Sequence, residues 1–273
     1  MIRVREYHRP RTVEEALRLL QGEDAVPLAG GQRLLAKEWH EAKAVVDLQT
    51  LGLNRIETRG EYLKIGAMVR LQQLVSTPFG CPFLAEAAHR EGALTYRNAA
   101  TVGGTIVTHA SLSCLLLSLL VLDAEVEVQR TDGSSMVALD KLLIDPACWL
   151  QRGLVTAVTV VPRTVGTAMA VVARTPRDQP IVAVAARVAR QGDRCEEVRI
   201  AWGGVAPYPL RAYSVEQALS GQPLEDARIE MAMAQATAAL QPASDFRGSA
   251  EYRRAMIGVL TRRALWEAWE KVA

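Results

Sequence analysis

Two glycine pairs, Gly30-Gly31 and Gly103-Gly104, constrain this 273-residue chain more than any other feature. The first ends an apolar strand candidate, Ala25 to Leu28, and opens a helix-like segment, Gln32 to Glu41. A strand that turns into a helix through glycine leaves free backbone N–H groups at a helix N-terminus, where the dipole favours an anion. The missing Cβ atoms let a phosphate approach the backbone. A single Gly-Gly pair is more often an ordinary turn. Two pairs, each flanked by apolar strand-like sequence, point to a phosphate-bearing ligand.

The chain is long enough for two domains or one large one. Its hydrophobic content of 49% and charged content of 23% are those of a globular protein. A net charge of +2 gives no electrostatic footprint for nucleic acid. Cys81, Cys114, Cys148 and Cys195 contain no C-x-x-C spacing, which argues against a zinc site or iron–sulfur cluster built by this chain alone. The histidines, His8, His40, His89 and His109, fall in four separate segments and form no metal-ligand pattern. The N-terminus has no apolar signal-peptide core, and the longest apolar run, Leu115 to Leu122, is too short to span a bilayer. That run reads as a buried helix, and the expected location is cytoplasmic.

Taken in order, Thr12 is a candidate N-cap with Glu15 three residues on, and Val13, Ala16, Leu17 and Leu20 share one helical face. Ala44 to Leu48 reads as a strand. Ile56–Arg59 and Tyr62–Ala67 alternate across Gly60-Glu61 as a hairpin does. Helices are expected over Arg70–Val75 and Phe83–Glu91, then strands over Ala124–Gln129, Ser135–Leu139 and Leu154–Val161. Pro162 marks a domain boundary. Beyond it come three strands (Thr167–Ala173, Ile181–Ala189, Glu197–Val205) and three helices (Ser214–Leu219, Leu224–Leu240, Ala250–Lys271), the pattern of an α+β module.

The order of Pro10-Arg11-Thr12-Val13-Glu14-Glu15-Ala16, Leu28-Ala29-Gly30-Gly31-Gln32, Val46-Asp47-Leu48, Ile65-Gly66-Ala67, Arg97-Asn98 and Thr101-Val102-Gly103-Gly104 resembles the FAD-binding medium subunit of the molybdenum hydroxylases, the xanthine dehydrogenase and aerobic carbon monoxide dehydrogenase group. Ile200–Pro207 and Pro242–Arg253 resemble its C-terminal domain, so the likeness spans essentially the whole chain. It implies an α+β protein: a PCMH-type FAD-binding domain over residues 1–162, in subdomains of about 1–54 and 55–162, then a C-terminal domain over 163–273. That second domain is a three-stranded antiparallel sheet with helices, as in the CO dehydrogenase flavoprotein.

The resemblance also implies that both glycine segments converge on the FAD diphosphate. By position, Leu28, Ala29, Gly30, Gly31, Gln32, Arg33 and Leu34 come from the first, and Thr101, Gly103, Gly104, Thr105 and Thr108 from the second. Ser111, Cys114 and Asp178 complete the implied set. Converging N–H groups and hydroxyls can meet a diphosphate without a cationic cage. Arg33 stands where the family has a small polar residue, and either adds a charge-assisted bond to phosphate or extends into solvent.

Other positions depart from the family. Thr105, Ala110-Ser111 and Cys114 occupy places of Asn, Asp-Pro and Asp, and cysteine is a poor substitute acceptor. Gly153 or Leu154 replaces a common glutamate. Around Arg174–Gln179 the family's acidic residue is matched by Asp178, while its aromatic is replaced by Gln179; the bland reading of this segment is a solvated loop.

The implied role is electron transfer: a molybdenum-cofactor large subunit oxidises the substrate, an iron–sulfur small subunit relays electrons, and FAD passes them to an acceptor. Such a chain needs no catalytic acid, base or metal of its own, and a dimer of heterotrimers is the implied assembly. Two other readings stay open. One is a flavin-free homologue that serves as a scaffold or docking subunit. The other is an unrelated nucleotide-binding protein, against which stands the lack of a G-x-G-x-x-G fingerprint.

Overall fold

The computed structural model describes residues 4–22, 24–32, 42–77, 79–163, 165–175 and 178–272. The helix expected from Gln32 to Glu41 lies, beyond Gln32, outside the described residues, as do Arg33, Leu34 and Arg177. Two compact units are present, and they do not follow the chain linearly. Residues 1–80, 93–108 and 124–161 form the first; residues 81–92, 109–123 and 162–273 form the second.

In the first unit, β1 (Val4–His8), β2 (Ala25–Leu28) and β3 (Ala42–Asp47) make a parallel sheet in the order β1-β3-β2. β2 is an edge strand, which accommodates Pro27 and its missing N–H. The helix Val13–Leu19 starts at Thr12, whose hydroxyl accepts the Glu15 N–H at 3.2 Å. The reciprocal bond differs from an ideal capping box: the Glu15 carboxylate accepts from the Arg11 N–H, one residue before the cap.

The second sheet of this unit contains β4 (Ile56–Arg59), β5 (Tyr62–Gly66), β6 (Glu125–Arg130), β7 (Gly133–Ala138) and β8 (Leu154–Val160). Its order is β4-β5-β8-β6-β7, antiparallel throughout. β8 is central and buried along most of its length, which explains its unbroken apolar sequence. The hairpin β4–β5 turns at Gly60, where φ is +62°. Ala16, Leu17, Val46, Leu48, Met68 and Leu154 form a shared core, so the parallel sheet and the antiparallel sheet pack into one unit.

The second unit is built on an antiparallel sheet of β9 (Gly166–Val172), β10 (Val182–Gln191), β11 (Arg194–Gly203) and β12 (Leu210–Arg211), in the order β12-β11-β10-β9. The sequence leads one to expect three strands; the fourth is two residues long. It follows Pro207-Tyr208-Pro209 and is too short to show alternation. The helix Ala250–Glu270 lays Ile257, Leu260, Ala264, Leu265 and Ala268 into the core. The apolar run expected to be a buried helix is one, Cys114–Val121, with all eight residues buried.

The segments Ile200–Pro207 and Pro242–Arg253 are coupled through Arg253. Its buried guanidinium donates to the carbonyls of Ile181 at 2.6 Å and Gly204 at 3.1 Å, and to the Asp245 carboxylate at 2.7 Å. These bonds offset the cost of burying the charge. Both stretches are therefore fasteners of the second unit.

Candidate functional site

The first unit holds a cleft of about 290 Å³ whose walls include both glycine pairs. One wall continues from β2. The parallel ladder ends with the Leu48 N–H donating to Leu28 at 3.0 Å, and the chain then turns through Ala29–Gln32. Gly31 has φ +72°, a conformation that side chains with a Cβ adopt only under strain. The N–H groups of Gly30, Gly31 and Gln32 have no acceptor among the described residues.

The opposite wall is laced to the strand end at Gly66–Leu71. Val102 donates to the Val69 carbonyl at 2.9 Å, Gly103 to Ala67 at 2.8 Å, and Leu71 to Ala100 at 3.0 Å. Here the structure corrects the expected surroundings of the second glycine pair. Gly103 and Gly104 sit inside a short helix, Val102–Thr108, that follows another, Leu94–Ala99. Their N–H groups are not free, because that of Gly104 is held by the Thr101 hydroxyl at 3.1 Å.

Three of the four glycines are demanded by the protein's own packing. A Cβ on Gly30 would lie 2.1 Å from the Ala99 carbonyl oxygen, and one on Gly103 would lie 2.7 Å from the Ala67 Cβ. On Gly104 it would approach the Thr101 hydroxyl to 2.9 Å. Small residues let the two walls meet closely and leave the cleft open beside them.

Leu28, Ala29, Gly30, Gly31, Gln32, Thr101, Gly103, Gly104, Thr105 and Thr108 all line this cleft. The hydroxyls of Thr105 and Thr108 donate to backbone one turn back, to the carbonyls of Thr101 at 3.0 Å and Gly104 at 2.7 Å. They can still accept, but they offer no proton outward in this arrangement. Among the described lining residues none is charged. The N–H groups of the Gly30–Gln32 turn, the Gln32 amide and the Thr101 hydroxyl are donors suited to a diphosphate, so the chemistry of the cleft fits FAD.

Ser111, Cys114 and Asp178 are not among the lining residues; they belong to the second unit. The Ser111 carbonyl accepts the Gly204 N–H at 3.1 Å. Cys114 opens the buried helix beside Glu91, whose carboxylate accepts from the Ser113 hydroxyl at 2.8 Å and the Leu115 N–H at 2.7 Å. Burial, and then the Glu91 charge, push the Cys114 thiol up to about 12. It is a protonated, packed thiol and cannot replace a carboxylate acceptor. Asp178 pairs with Arg174 at 3.5 Å; the arginine is exposed and the aspartate half-buried.

Sequence reasoning did not name Val26, Pro27, Leu48, Ala67, Met68, Tyr96, Ala100, Val107 and Val155 as site residues, and noted Leu154 only as a departure from the family; all of them line the cleft. Their residue types carry no signal, since they reach the cleft through strand pairing and helix docking. Among the described residues no group of three His, Cys, Asp or Glu side chains is placed to hold a metal ion. No helix there is long and apolar enough to cross a membrane.

Residues 2–164 match the FAD binding domain in molybdopterin dehydrogenase, and residues 167–268 match the CO dehydrogenase flavoprotein C-terminal domain. The chain is 32% identical to the nicotine 6-hydroxylase medium subunit of Paenarthrobacter nicotinovorans, over 96% of each protein. It is 31% identical to the carbon monoxide dehydrogenase medium chain of Hydrogenophaga pseudoflava, over 98% of each. Its fold superimposes on a chain of the carbon monoxide dehydrogenase from Hydrogenophaga pseudoflava that lacks the Mo-pyranopterin moiety. There the TM-score is 0.94, with 30% identity and all of both chains covered. The protein is a member of the family of FAD-binding medium subunits of the molybdenum hydroxylases.

Proposed function

We propose that this chain is the flavin-bearing medium subunit of a heteromeric molybdenum hydroxylase, with FAD seated in the cleft between its two glycine segments. The observation that carries the reading is the meeting of Gly30-Gly31 and Gly103-Gly104 in the walls of one cleft whose described lining residues carry no charge. FAD, when bound, supplies the capacity to take up electrons singly and release them in pairs.

The chain's own residues bind and orient. The Gly30–Gln32 N–H groups would hold phosphate oxygens, and the Thr101 hydroxyl, which accepts the Gly104 N–H, would add a donor. Leu28, Val107, Leu154 and Val155 give the same cleft apolar walls. The proposed cofactor set also takes in Ala29, Gly103, Thr105 and Thr108 of the cleft, with Arg33 and Leu34 carried over from the family pattern; Ser111, Cys114 and Asp178 are carried by that pattern alone and do not line the cleft.

By analogy with relatives named as medium chains, the partners are an iron–sulfur small subunit and a molybdenum-cofactor large subunit, assembled as a dimer of heterotrimers in the cytoplasm. The test is an absorption spectrum of the purified complex followed by cofactor extraction. One FAD per medium chain is expected; a complex that forms without flavin would return the chain to a scaffold role. Sedimentation of the same sample checks the stoichiometry.

A further inference from the structure

We infer that Tyr96 is a cofactor-contacting residue, its aromatic face closing one wall of the cleft against FAD. This rests on the reading of the cleft as the FAD site. Among the described lining residues Tyr96 is the only aromatic; the others are aliphatic residues, glycines, threonines, Pro27, Met68 and Gln32.

Its placement follows from the helix it belongs to. Tyr96 stands three and four positions before Ala99 and Ala100 in and just after the helix Leu94–Ala99, so the three share a face. Ala99 and Ala100 are the residues whose backbone abuts Gly30. The ring therefore flanks the seat of the Gly30-Gly31 turn. The helix is tied down at successive points: Arg97 donates to the Gln72 amide oxygen at 2.9 Å, Arg70 to the Asn98 carbonyl at 2.6 Å, and Leu71 to the Ala100 carbonyl at 3.0 Å. Tyr96 is thus presented on a wall that is already rigid, and little ordering remains for the ligand to impose.

The same cleft explains why an aromatic matters. The N–H groups of Val102 and Gly103 are occupied by Val69 and Ala67, and the described lining has no charge. Among the described residues, polar bonds to the diphosphate would come mainly from one turn, so affinity leans on contact with the planar and apolar parts of the cofactor. An aromatic face is suited to that contact, and its loss weakens ring stacking several-fold or more.

The test strips FAD from the full-length chain and titrates it back, reading Kd from flavin fluorescence for the parent, Tyr96→Phe and Tyr96→Leu. Tyr96→Phe should bind within about three-fold of the parent and Tyr96→Leu at least about ten-fold more weakly, the span expected for one lost stacking contact. Parent-like binding by Tyr96→Leu overturns the inference. So does an equal loss in Tyr96→Phe, which would assign the effect to the hydroxyl. Where Tyr96→Leu does not fold, the unbranched Tyr96→Met is read by the same criterion. A parent chain that binds no FAD refutes the underlying cleft assignment instead.

Discussion

Replacing Cys114 by aspartate sets the family pattern against the local physics of this chain. The pattern puts a carboxylate at this position to bond FAD, which by itself leads one to expect tighter cofactor binding in Cys114→Asp. The structure leads to a loss of stability. Cys114 is 1% exposed and lies beside Glu91, which already accepts bonds from Ser113 and Leu115 at the start of the same helix. The thiol is displaced from its ordinary range to about 12, so a negative charge at this point is disfavoured by roughly three pH units. At about 1.4 kcal/mol each, that is about 4 kcal/mol.

An aspartate there meets the same burial and the same neighbour, so its folded pKa is raised. The charge-dependent part of its cost is absent below the unfolded carboxyl range and grows as pH rises through the folded value. Urea unfolding of the FAD-free chain should show Cys114→Asp destabilised by about 4 kcal/mol at pH 8, shrinking toward pH 4. Adding Glu91→Gln should restore part of the loss at pH 8, since it removes the neighbouring charge. A Cys114→Asp chain as stable as the parent at pH 8, or one with higher FAD affinity, would refute the reasoning.

Gly30→Ala should lower stability by about 1–3 kcal/mol and reduce flavin content, because the new methyl meets the fixed Ala99 carbonyl oxygen at 2.1 Å. A thermal melt with the flavin-to-protein absorbance ratio checks both, and an unchanged melt would show that the wall can move. Burial raises the Glu91 carboxyl above the ordinary range despite the bonds it accepts. The parent should therefore lose stability as pH rises from the unfolded carboxyl range through the raised folded value. In Glu91→Gln that slope should flatten, as read from urea midpoints across pH 4 to 8.

Much of the fold was legible in the residues. The hairpin β4–β5 showed its alternation and its glycine turn, the capping residue Thr12 announced its helix, and Leu115–Leu122 could only be a buried segment. These features depend on neighbours in sequence. The two-residue strand β12 did not show, because it exists only through its pairing with Ala201 and Trp202. The assignment of residues 81–92 and 109–123 to the second unit was equally hidden, since no composition shift marks those crossings.

The cleft divides in the same way. Sequence by itself placed two glycine pairs, a threonine before the second, and an order of motifs found in a known flavoprotein family. Only the tertiary structure decided what each glycine does: Gly31 carries a left-handed turn, Gly30 and Gly103 admit Ala99 and Ala67, and Gly104 makes room for a threonine cap. It also decided that the N–H groups of the second pair are already bonded, and that Tyr96 faces the cleft. A backbone donor's partner and a side chain's surroundings are set by segments distant in the chain, and local sequence carries no record of them.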